Sequence, residues 1–153
     1  MTIIDALSED HGYLEHLLEV VETCPWNAFR RRRQLCERLE DEVLDYLAAR
    51  EVNVHAPLLE LERTALPVQG LLDDYPLIES RFDLLSSIDP SSPGWSDAFD
   101  RLAESVRGTI EGQEAVFDAM LEVMSGPEAR EMGWDYREDK PAPQTFNVYR
   151  RAG

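Results

Sequence analysis

The segment IDALSEDHGYLEHLLEVV, residues 4–21, carries the clearest structural signal in this chain of 153 residues. Its apolar positions recur at alternating steps of three and four residues, which is the spacing of one face of a bundle helix. The residues on that face are Ile4, Leu7, His11, Leu14, Leu18 and Val21. Pro25 ends the helix, because proline cannot continue the hydrogen-bond ladder. We therefore predict an amphipathic helix with one histidine on its apolar face.

Three further stripes repeat this helical spacing. The second contains Cys36, Leu39, Val43, Leu47, Glu51, Val54 and Leu58; the third contains Leu71, Tyr75, Ile78, Phe82 and Leu85; the fourth contains Phe99, Leu102, Val106, Thr109 or Ile110, Gln113, Phe117, Met120 and Met124. Loops are predicted around residues 64–70 and at SSIDPSSPG, residues 86–94, and residues 125–127 are predicted to end the fourth helix. No alternating strand pattern occurs. We predict an all-α protein, for which an up-down-up-down four-helix bundle is the simplest packing.

The bundle is predicted to comprise residues 1–124, and residues 125–153 differ from it in character. Trp134, Tyr136, Phe146 and Tyr149 stand there among prolines and charges, without a helical period. We expect an irregular C-terminal tail. It is either packed on the bundle through its aromatic side chains or mobile and used to bind a partner.

The charge balance restricts the classes of partner. The chain has 31 acidic and 15 basic residues, a formal net charge of −16, and Lys140 is its single lysine. Such a surface repels nucleic-acid phosphates and anionic lipid, so we expect neither partner. No run of roughly 18 apolar residues occurs, and residues 1–16 do not resemble a secretory signal. We therefore expect a cytoplasmic protein, in which Cys24 and Cys36 are reduced thiols rather than a disulfide.

Residues 30–33, Arg-Arg-Arg-Arg, form the one basic cluster of the sequence. At the start of a helix these charges oppose the helix dipole. They are either a solvated patch paired with the abundant acids or a contact for an anion or an acidic partner. We call residues 30–33 the arginine cluster.

Polar residues that interrupt the apolar stripes are the candidate functional residues, since burying a polar group without a partner costs about 1–3 kcal/mol. They are His11, Glu51, Tyr75, Thr109 and Gln113. Antiparallel helices could bring several of them to one depth, as in the interior sites of helix bundles.

Two motifs resemble the hemerythrin-like, cation-binding HHE domain. They are Asp10-His11 in the first helix and Glu51-x5-Pro57-Leu58-Leu59 in the second. The third helix repeats the first, and the Phe117-x2-Met120-Leu121 ending of the fourth repeats that of the second. The resemblance covers residues 1–124. It implies a four-helix bundle in which paired histidines and carboxylates hold two irons.

Most of the family's ligand positions do not carry ligands in this sequence. His11 and Glu51 correspond to ligands, but the histidine expected four residues before Glu51 is replaced. The replaced positions hold Leu47, Tyr75, Gly108, and Gly112 or Gln113. With three histidines in the chain, the family's five-histidine arrangement cannot be built. The resemblance therefore implies a bundle that has lost the usual di-iron site.

The remaining polar residues leave several interpretations open. His11 and Glu51 are a residual metal pair, a buried histidine–carboxylate hydrogen bond, or two residues without mutual contact. Tyr75 and Gln113 are predicted to fill the emptied site with uncharged side chains. Gly108 and Gly112 lie four apart in one helix, and each costs about 1 kcal/mol relative to alanine. They allow either a close approach of helices or a cavity for a small apolar or planar ligand.

The function predicted from these residues is non-catalytic, since no nucleophilic triad, phosphate-binding glycine loop or paired-cysteine motif occurs. We expect a regulatory or interaction protein without a cofactor, which binds an unknown protein partner or itself. One alternative is an iron-binding or O2/NO-responsive protein with an altered site around His11 and Glu51. A second alternative is a small-molecule binder that uses the bundle core.

Overall fold

The structure, a computed structural model, describes residues 1–143. Every regular element in this range is helical, so the prediction of an all-α protein is confirmed. The helices are α1 (Ile3–Glu22), α2 (Phe29–Arg50), α3 (Ala56–Leu59), α4 (Glu62–Gln69), α5 (Asp74–Ser86), α6 (Gly94–Glu114), α7 (Phe117–Val123) and α8 (Gly126–Asp139). A π-helical turn, Glu51–His55, joins α2 to α3. No helix within residues 1–143 is both long and apolar enough to cross a membrane.

The core lies between the long helices. α1 packs against α2, α6 and α8, and α5 packs against α2 and α6. Fully buried leucines of α1, among them Leu7, Leu14 and Leu18, meet Leu39 and Leu47 of α2 in one apolar cluster. The first turn of α1 is held by a capping box, in which Thr2 and Asp5 satisfy each other's backbone amides.

The π-helical turn changes which residues of the second stripe face the core. A π-helix bonds residue i to i+5, so one turn takes more residues than an α-helical turn. Leu47 and Arg50, three residues apart in α2, are buried, and the turn then places two adjacent residues, Val54 and His55, in the core. Glu51 is exposed, so the expectation that it lies on the apolar face is wrong: the inward position after Leu47 is Arg50.

Residues 62–69 form the short helix α4, although a loop was expected around residues 64–70. Pro67 lies inside this helix and is exposed, so its missing N–H faces solvent and not the core. The Thr64 hydroxyl donates to the carbonyl of Leu58 at 2.6 Å and thereby satisfies the end of α3. Buried Thr64 and Val68 attach α4 to the rest of the molecule.

An irregular tail was predicted for residues 125–153, but its described part, residues 125–143, is mostly helical, which corrects the prediction for those residues. Ser125 and Glu128 form a capping box: the Ser125 hydroxyl accepts from the Glu128 amide, and the Glu128 carboxylate accepts from the Ser125 amide. Ser125-Gly-Pro therefore begins a helix instead of ending one. Tyr136 is fully buried against the bundle, whereas Trp134 is 70% exposed. Phe146 and Tyr149 lie outside the described residues.

The contact between α8 and the start of α1 is made at Gly133. A Cβ atom there would lie 2.8 Å from the Ile3 nitrogen and 2.8 Å from the Thr2 carbonyl carbon. Both atoms belong to the backbone and cannot rotate away. Only a residue without a side chain permits this approach.

Gly133→Ala is therefore expected to lower the free energy of unfolding by about 1–3 kcal/mol, as overpacking does elsewhere. Gly12→Ala is the matched control, because Gly12 lies in α1 with no atom within 4 Å of an added Cβ. That change should instead stabilise the protein by about 0.5–1 kcal/mol through helix propensity. Urea denaturation of both variants measures the difference. Equal effects of the two changes would contradict the close approach at Gly133.

Candidate functional site

The centre of the polar interior is Arg50, the largest fully buried side chain and 2% exposed. Its Nη2 donates to the Thr109 hydroxyl at 2.9 Å, and its Nη1 donates to the Tyr46 hydroxyl at 3.1 Å. The Thr109 hydroxyl in turn donates to Asp74 at 2.7 Å. No carboxylate within residues 1–143 forms a direct ion pair with Arg50, and its buried Nε has no hydrogen-bond partner there. The guanidinium is thus a buried cation that reaches a carboxylate through a hydroxyl.

His11 continues this chain of hydrogen bonds. Its Nε2 lies 2.7 Å from the Tyr46 hydroxyl, and its Nδ1 lies 3.2 Å from Oε1 of Glu114. The ring stacks on Phe117, with centroids 6.0 Å apart and planes at 5°. His11 itself is 4% exposed, whereas the Glu114 side chain is half-exposed. The chain therefore runs from a buried guanidinium through a phenol and an imidazole to a carboxylate at the surface.

The partners of His11 define its tautomer. Tyr46 accepts from Arg50, so its own hydroxyl proton is available for the Nε2 lone pair of His11. The proton on Nδ1 then faces the Glu114 carboxylate. Burial, assisted by the positive charge of Arg50, lowers the pKa of His11 to about 4. A neutral imidazole with Nδ1–H satisfies every one of these contacts.

A second buried pair lies beside the first. His55, in the π-helical turn, donates from Nε2 to the Gln113 side-chain oxygen at 2.7 Å. The Gln113 amide donates to the sulfur of Met120 at 3.7 Å. Burial, again assisted by Arg50, lowers the pKa of His55 to about 4, although the bond to Gln113 acts in the opposite direction. We call the residues around this buried cation the guanidinium network: Arg50, Tyr46, Thr109, Asp74, His11, Glu114, His55 and Gln113.

The sequence predicts that His11 and Glu51 lie on the apolar sides of their helices, where they could contact each other. His11 is buried, but it contacts Tyr46 and Glu114 rather than Glu51. Glu51 is exposed, so neither the metal pair nor the buried hydrogen bond expected between His11 and Glu51 forms. Arg50, the last residue of α2, faces the interior in place of the neighbouring carboxylate.

The other predicted positions separate into core and surface. Gln113 is fully buried in the guanidinium network, and Tyr75 is half-buried and packs against the core cluster. An added Cβ at Gly112 would lie 2.6 Å from Cδ2 of Leu71, so α6 closely approaches Leu71 at this residue. Gly108 is exposed, with no atom within 4 Å of an added Cβ. The expectation that Gly108 faces the bundle interior is therefore wrong; it lines a surface depression.

Arg50 and Tyr46 are the functional residues that sequence reasoning missed. Reading Val43, Leu47, Arg50 and Val54 at steps of four, three and four residues would have placed Arg50 inward. The step from Leu47 to Glu51 fits the helical spacing equally well, and a carboxylate matched the family pattern. The spacing alone does not choose between the two neighbours.

A second buried cluster centres on Asp10, which is 1% exposed. Its carboxylate accepts from the Tyr136 hydroxyl and, at 2.9 Å, from Arg137 Nη1, and Lys140 Nζ lies 3.5 Å away. Arg137 Nη2 also donates to a carbonyl of α1, and Lys140 lies 3.4 Å from Glu42 of α2. Burial and the neighbouring charge of Asp10 raise the pKa of Tyr136. This α8 cluster, Asp10, Tyr136, Arg137, Lys140 and Glu42, attaches α8 to α1 and α2.

The residues at the candidate metal site do not fit the two irons that the family resemblance implies. Both ring nitrogens of His11 have protein partners, and a guanidinium occupies the interior next to it. No group of three or more histidine, cysteine, aspartate or glutamate side chains in residues 1–143 is arranged to hold a metal ion. A divalent cation here would be repelled by Arg50 without enough anionic ligands to offset the repulsion.

The arginine cluster and the cysteines meet at the start of α2. The Arg32 guanidinium lies 4.7 Å from the centroid of the Trp95 ring, and its Nη1 donates to the carbonyl of Pro90. Cys24 and Cys36 are both free and half-buried. Burial raises the pKa of Cys36 to about 12, so its thiol is protonated at neutral pH.

The chain matches no family model, no curated protein and no solved structure.

Proposed function

We propose that this protein is a non-catalytic regulatory or interaction protein, built as a hemerythrin-like bundle in which the guanidinium network occupies the place of the metal site. The observation that carries the proposal is the fully buried Arg50, hydrogen-bonded to Tyr46 and Thr109. A cation fixed by the protein supplies positive charge between Glu114 and Asp74 without iron. No bound cofactor is part of this proposal.

The arrangement of the long helices supports the bundle assignment. α1, α2, α5 and α6 are joined in chain order, and each contacts the next, while α6 returns to α1. This cycle of neighbours is the one expected for an up-down-up-down four-helix bundle. The short helices α3, α4 and α7 are local additions, and α8 covers α1 from outside. On this basis we propose that the chain shares its helix arrangement with HHE domains but not their iron-binding site.

The surface supports an interaction role. Several large apolar side chains are well exposed, including Trp26 at 75%, Leu66 at 78% and Trp134 at 70%. The interior, by contrast, is filled by packed apolar residues and by polar side chains that hydrogen-bond to one another. Function then depends on contacts made at the surface, in a cytoplasmic protein that binds a protein partner.

Metal analysis of the intact chain, purified from iron-supplemented cells, tests the proposal. We expect iron well below one atom per chain and a melting temperature that a chelator does not change, because no metal stabilises the native state. Arg50→Met replaces the buried cation with an apolar side chain of similar length and leaves the Tyr46 and Thr109 hydroxyls without their donor, so it should lower the melting temperature. It should change the melting temperature equally with and without chelator.

Iron near two atoms per chain, or a melting temperature lowered by the chelator in the wild type, would contradict the proposal. His16→Gln is the matched control for the loss of a histidine, because His16 also lies on α1 but outside the guanidinium network. Absorption bands of an oxo-bridged iron pair that are lost in His11→Gln but retained in His16→Gln would show that iron binds at His11.

A further inference from the structure

A groove of about 480 Å³ lies on the surface between α5 and α6. Leu77 and Leu84 of α5 line it and are 45% and 53% exposed, and Ile88, just after α5, is half-buried. Leu77 and Leu84 are seven residues apart and lie on one face of α5, and Ile88, four residues further on, continues that face beyond the helix end. Ala98 lines the groove from α6. We call this feature the α5–α6 groove.

α5 is apolar on two faces. Ile78, Phe82 and Leu85 form its buried face against the core. Leu77 and Leu84 form the second face, which no element of residues 1–143 covers. A helix with apolar residues on both sides is normally buried on both sides, so the open face is suited to a partner.

The α5–α6 groove also contains two arginines without ion pairs. Arg81 and Arg101 line it, and Arg81 donates to the carbonyl of Arg101 at 2.9 Å. Neither forms an ion pair within residues 1–143, although the chain has 31 acidic residues. Asp97 is the one carboxylate that lines the groove, and it is not paired with either arginine.

The acidic side chains of α5 lie on another side of the helix. Glu79 and Asp83 face α2, where they contribute, together with burial, to raising the pKa of Glu40. Three acids of α6 line a separate depression next to α1, together with Glu22 and Arg107: Asp100, Glu104 and Glu111. Arg107 is paired there with Glu15 and Glu22. The arginine of α6 that faces α1 is therefore neutralised by acids, whereas Arg101, which faces α5, forms no ion pair within residues 1–143.

The basic character continues beyond the end of the groove. A smaller depression of about 130 Å³ adjoins it and shares Ile88 as a lining residue. Arg33 of the arginine cluster lines this second depression, together with Glu37. Arg32 is held by Pro90 and Trp95, whereas Arg30 and Arg33 are exposed. Each depression therefore has at least one arginine beside its apolar residues: Arg81 and Arg101 in the α5–α6 groove, and Arg33 in the smaller one.

We propose that the α5–α6 groove binds an acidic amphipathic helix of a partner protein, with its apolar face on Leu77, Leu84 and Ile88 and its carboxylates on Arg81 and Arg101. An amphipathic helix in an apolar groove is a common mode of recognition, and complementary charge gives it specificity. A second copy of this chain fits less well, because association would bring two surfaces of net charge −16 together. The inference rests on the proposed interaction function and names the class of partner.

The test is a selection from a displayed library of helical peptides with fixed leucines on one face and a random choice of glutamate, lysine or glutamine at the flanking positions. The target is the full chain at low ionic strength. We expect the selected helices to be enriched in glutamate. The net charge alone predicts the opposite sign, since a protein of charge −16 attracts lysine-rich peptides. Enrichment of lysine, or of neither charge, would overturn the proposal.

Two substitutions then locate the binding surface for a selected helix. Leu84→Glu should weaken binding about tenfold or more, because it places a charge on the apolar face. Arg81→Glu should weaken it about three- to tenfold, with the loss reduced at high salt. Matched controls are Leu121→Glu, at an equally exposed leucine of α7, and Arg130→Glu, at an exposed arginine of α8. Each control should leave the affinity unchanged in fluorescence anisotropy.

Two outcomes at this stage would overturn the proposal. One is equal binding by wild type and Leu84→Glu, which would place the helix elsewhere. The other is a concentration-dependent dimer in sedimentation velocity that Leu84→Glu abolishes, which would assign the groove to a second copy of the chain. Failure of the proposed function is read from iron content and not from binding. An iron-free protein that selects no acidic helix therefore refutes the groove and leaves the proposed function standing.

Discussion

Asp10→Ala is expected to lower the free energy of unfolding by about 3–5 kcal/mol, because it removes the fully buried carboxylate of an ion-pair cluster and leaves its cations only the more distant Glu9 and Glu42. Asp10 is 1% exposed and is shared by Tyr136, Arg137 and Lys140. Without it, two cations and a phenol of α8 face each other at the surface of α1. We expect α8 to separate from α1 before the rest of the molecule unfolds.

Glu9→Ala is the matched control for this prediction. Glu9 is the adjacent residue and lies 3.6 Å from the same Arg137, but its side chain is 43% exposed. Exposed pairs of this kind contribute about 0–1 kcal/mol. Urea denaturation followed by circular dichroism measures both variants. Equal losses for Asp10→Ala and Glu9→Ala would contradict the central role of the buried carboxylate.

Acidification should destabilise the protein between pH 6.5 and about 4 through the two buried histidines. The pKa of His11 and that of His55 are each lowered to about 4 in the folded state, from an ordinary value of 6.5. As the pH falls, the unfolded chain binds these protons first, so stabilisation that is complete above pH 6.5 is lost on the way to pH 4. The loss is roughly 3 kcal/mol for each histidine.

The measurement is the free energy of unfolding in urea at several pH values, compared between the wild type and a variant with His11→Gln and His55→Gln. Carboxylates titrate in the same range, but they are common to both proteins and cancel in the difference. The variant should be the less stable at neutral pH, where it lacks the native contacts, and should show the smaller slope below pH 6.5. Parallel curves would contradict neutral, buried imidazoles.

The helical class could be predicted from sequence because apolar spacing is a property of each helix by itself. The stripe of α1 predicted its extent to within a residue, and Pro25 marked its end. Helix α8 could not be predicted from spacing, since its buried residues are few: Ala129, Gly133 and Tyr136. The sequence signal for the start of α8 is the capping pair Ser125 and Glu128. The Gly-Pro that follows Ser125 occurs both at helix ends and in first turns, and here it forms a first turn.

The candidate site was less predictable because helical spacing allows either Arg50 or Glu51 to face the core, and because a turn of unusual geometry follows them. Arg50 of α2 faces inward, and the π-helical turn Glu51–His55 then places the adjacent residues Val54 and His55 in the core. Spacing rules assume a constant 3.6 residues per turn and give no warning of such a change. His11 and Gln113 lie on α-helical segments without such a turn, and both are buried.

The guanidinium network gives several buried polar groups a partner within the protein. Most members have a neighbour of complementary type: cation with hydroxyl, hydroxyl with imidazole, imidazole with carboxylate. Such networks are costly when one member is lost. Its hydrogen bonds join α1, α2 and α6 through His11, Tyr46, Arg50 and Thr109.

The burial of Lys140 has a consequence for the covalent chemistry of the chain. Lys140 is its single lysine, and that side chain is 4% exposed between Asp10 and Glu42. An amine-directed reagent, or an enzyme that acylates lysine, reaches its nitrogen only in molecules where α8 has opened. The rate of such labelling is then proportional to the open population, as in hydrogen exchange. Labelling of Lys140 therefore reports on local opening at the C-terminal end of α8.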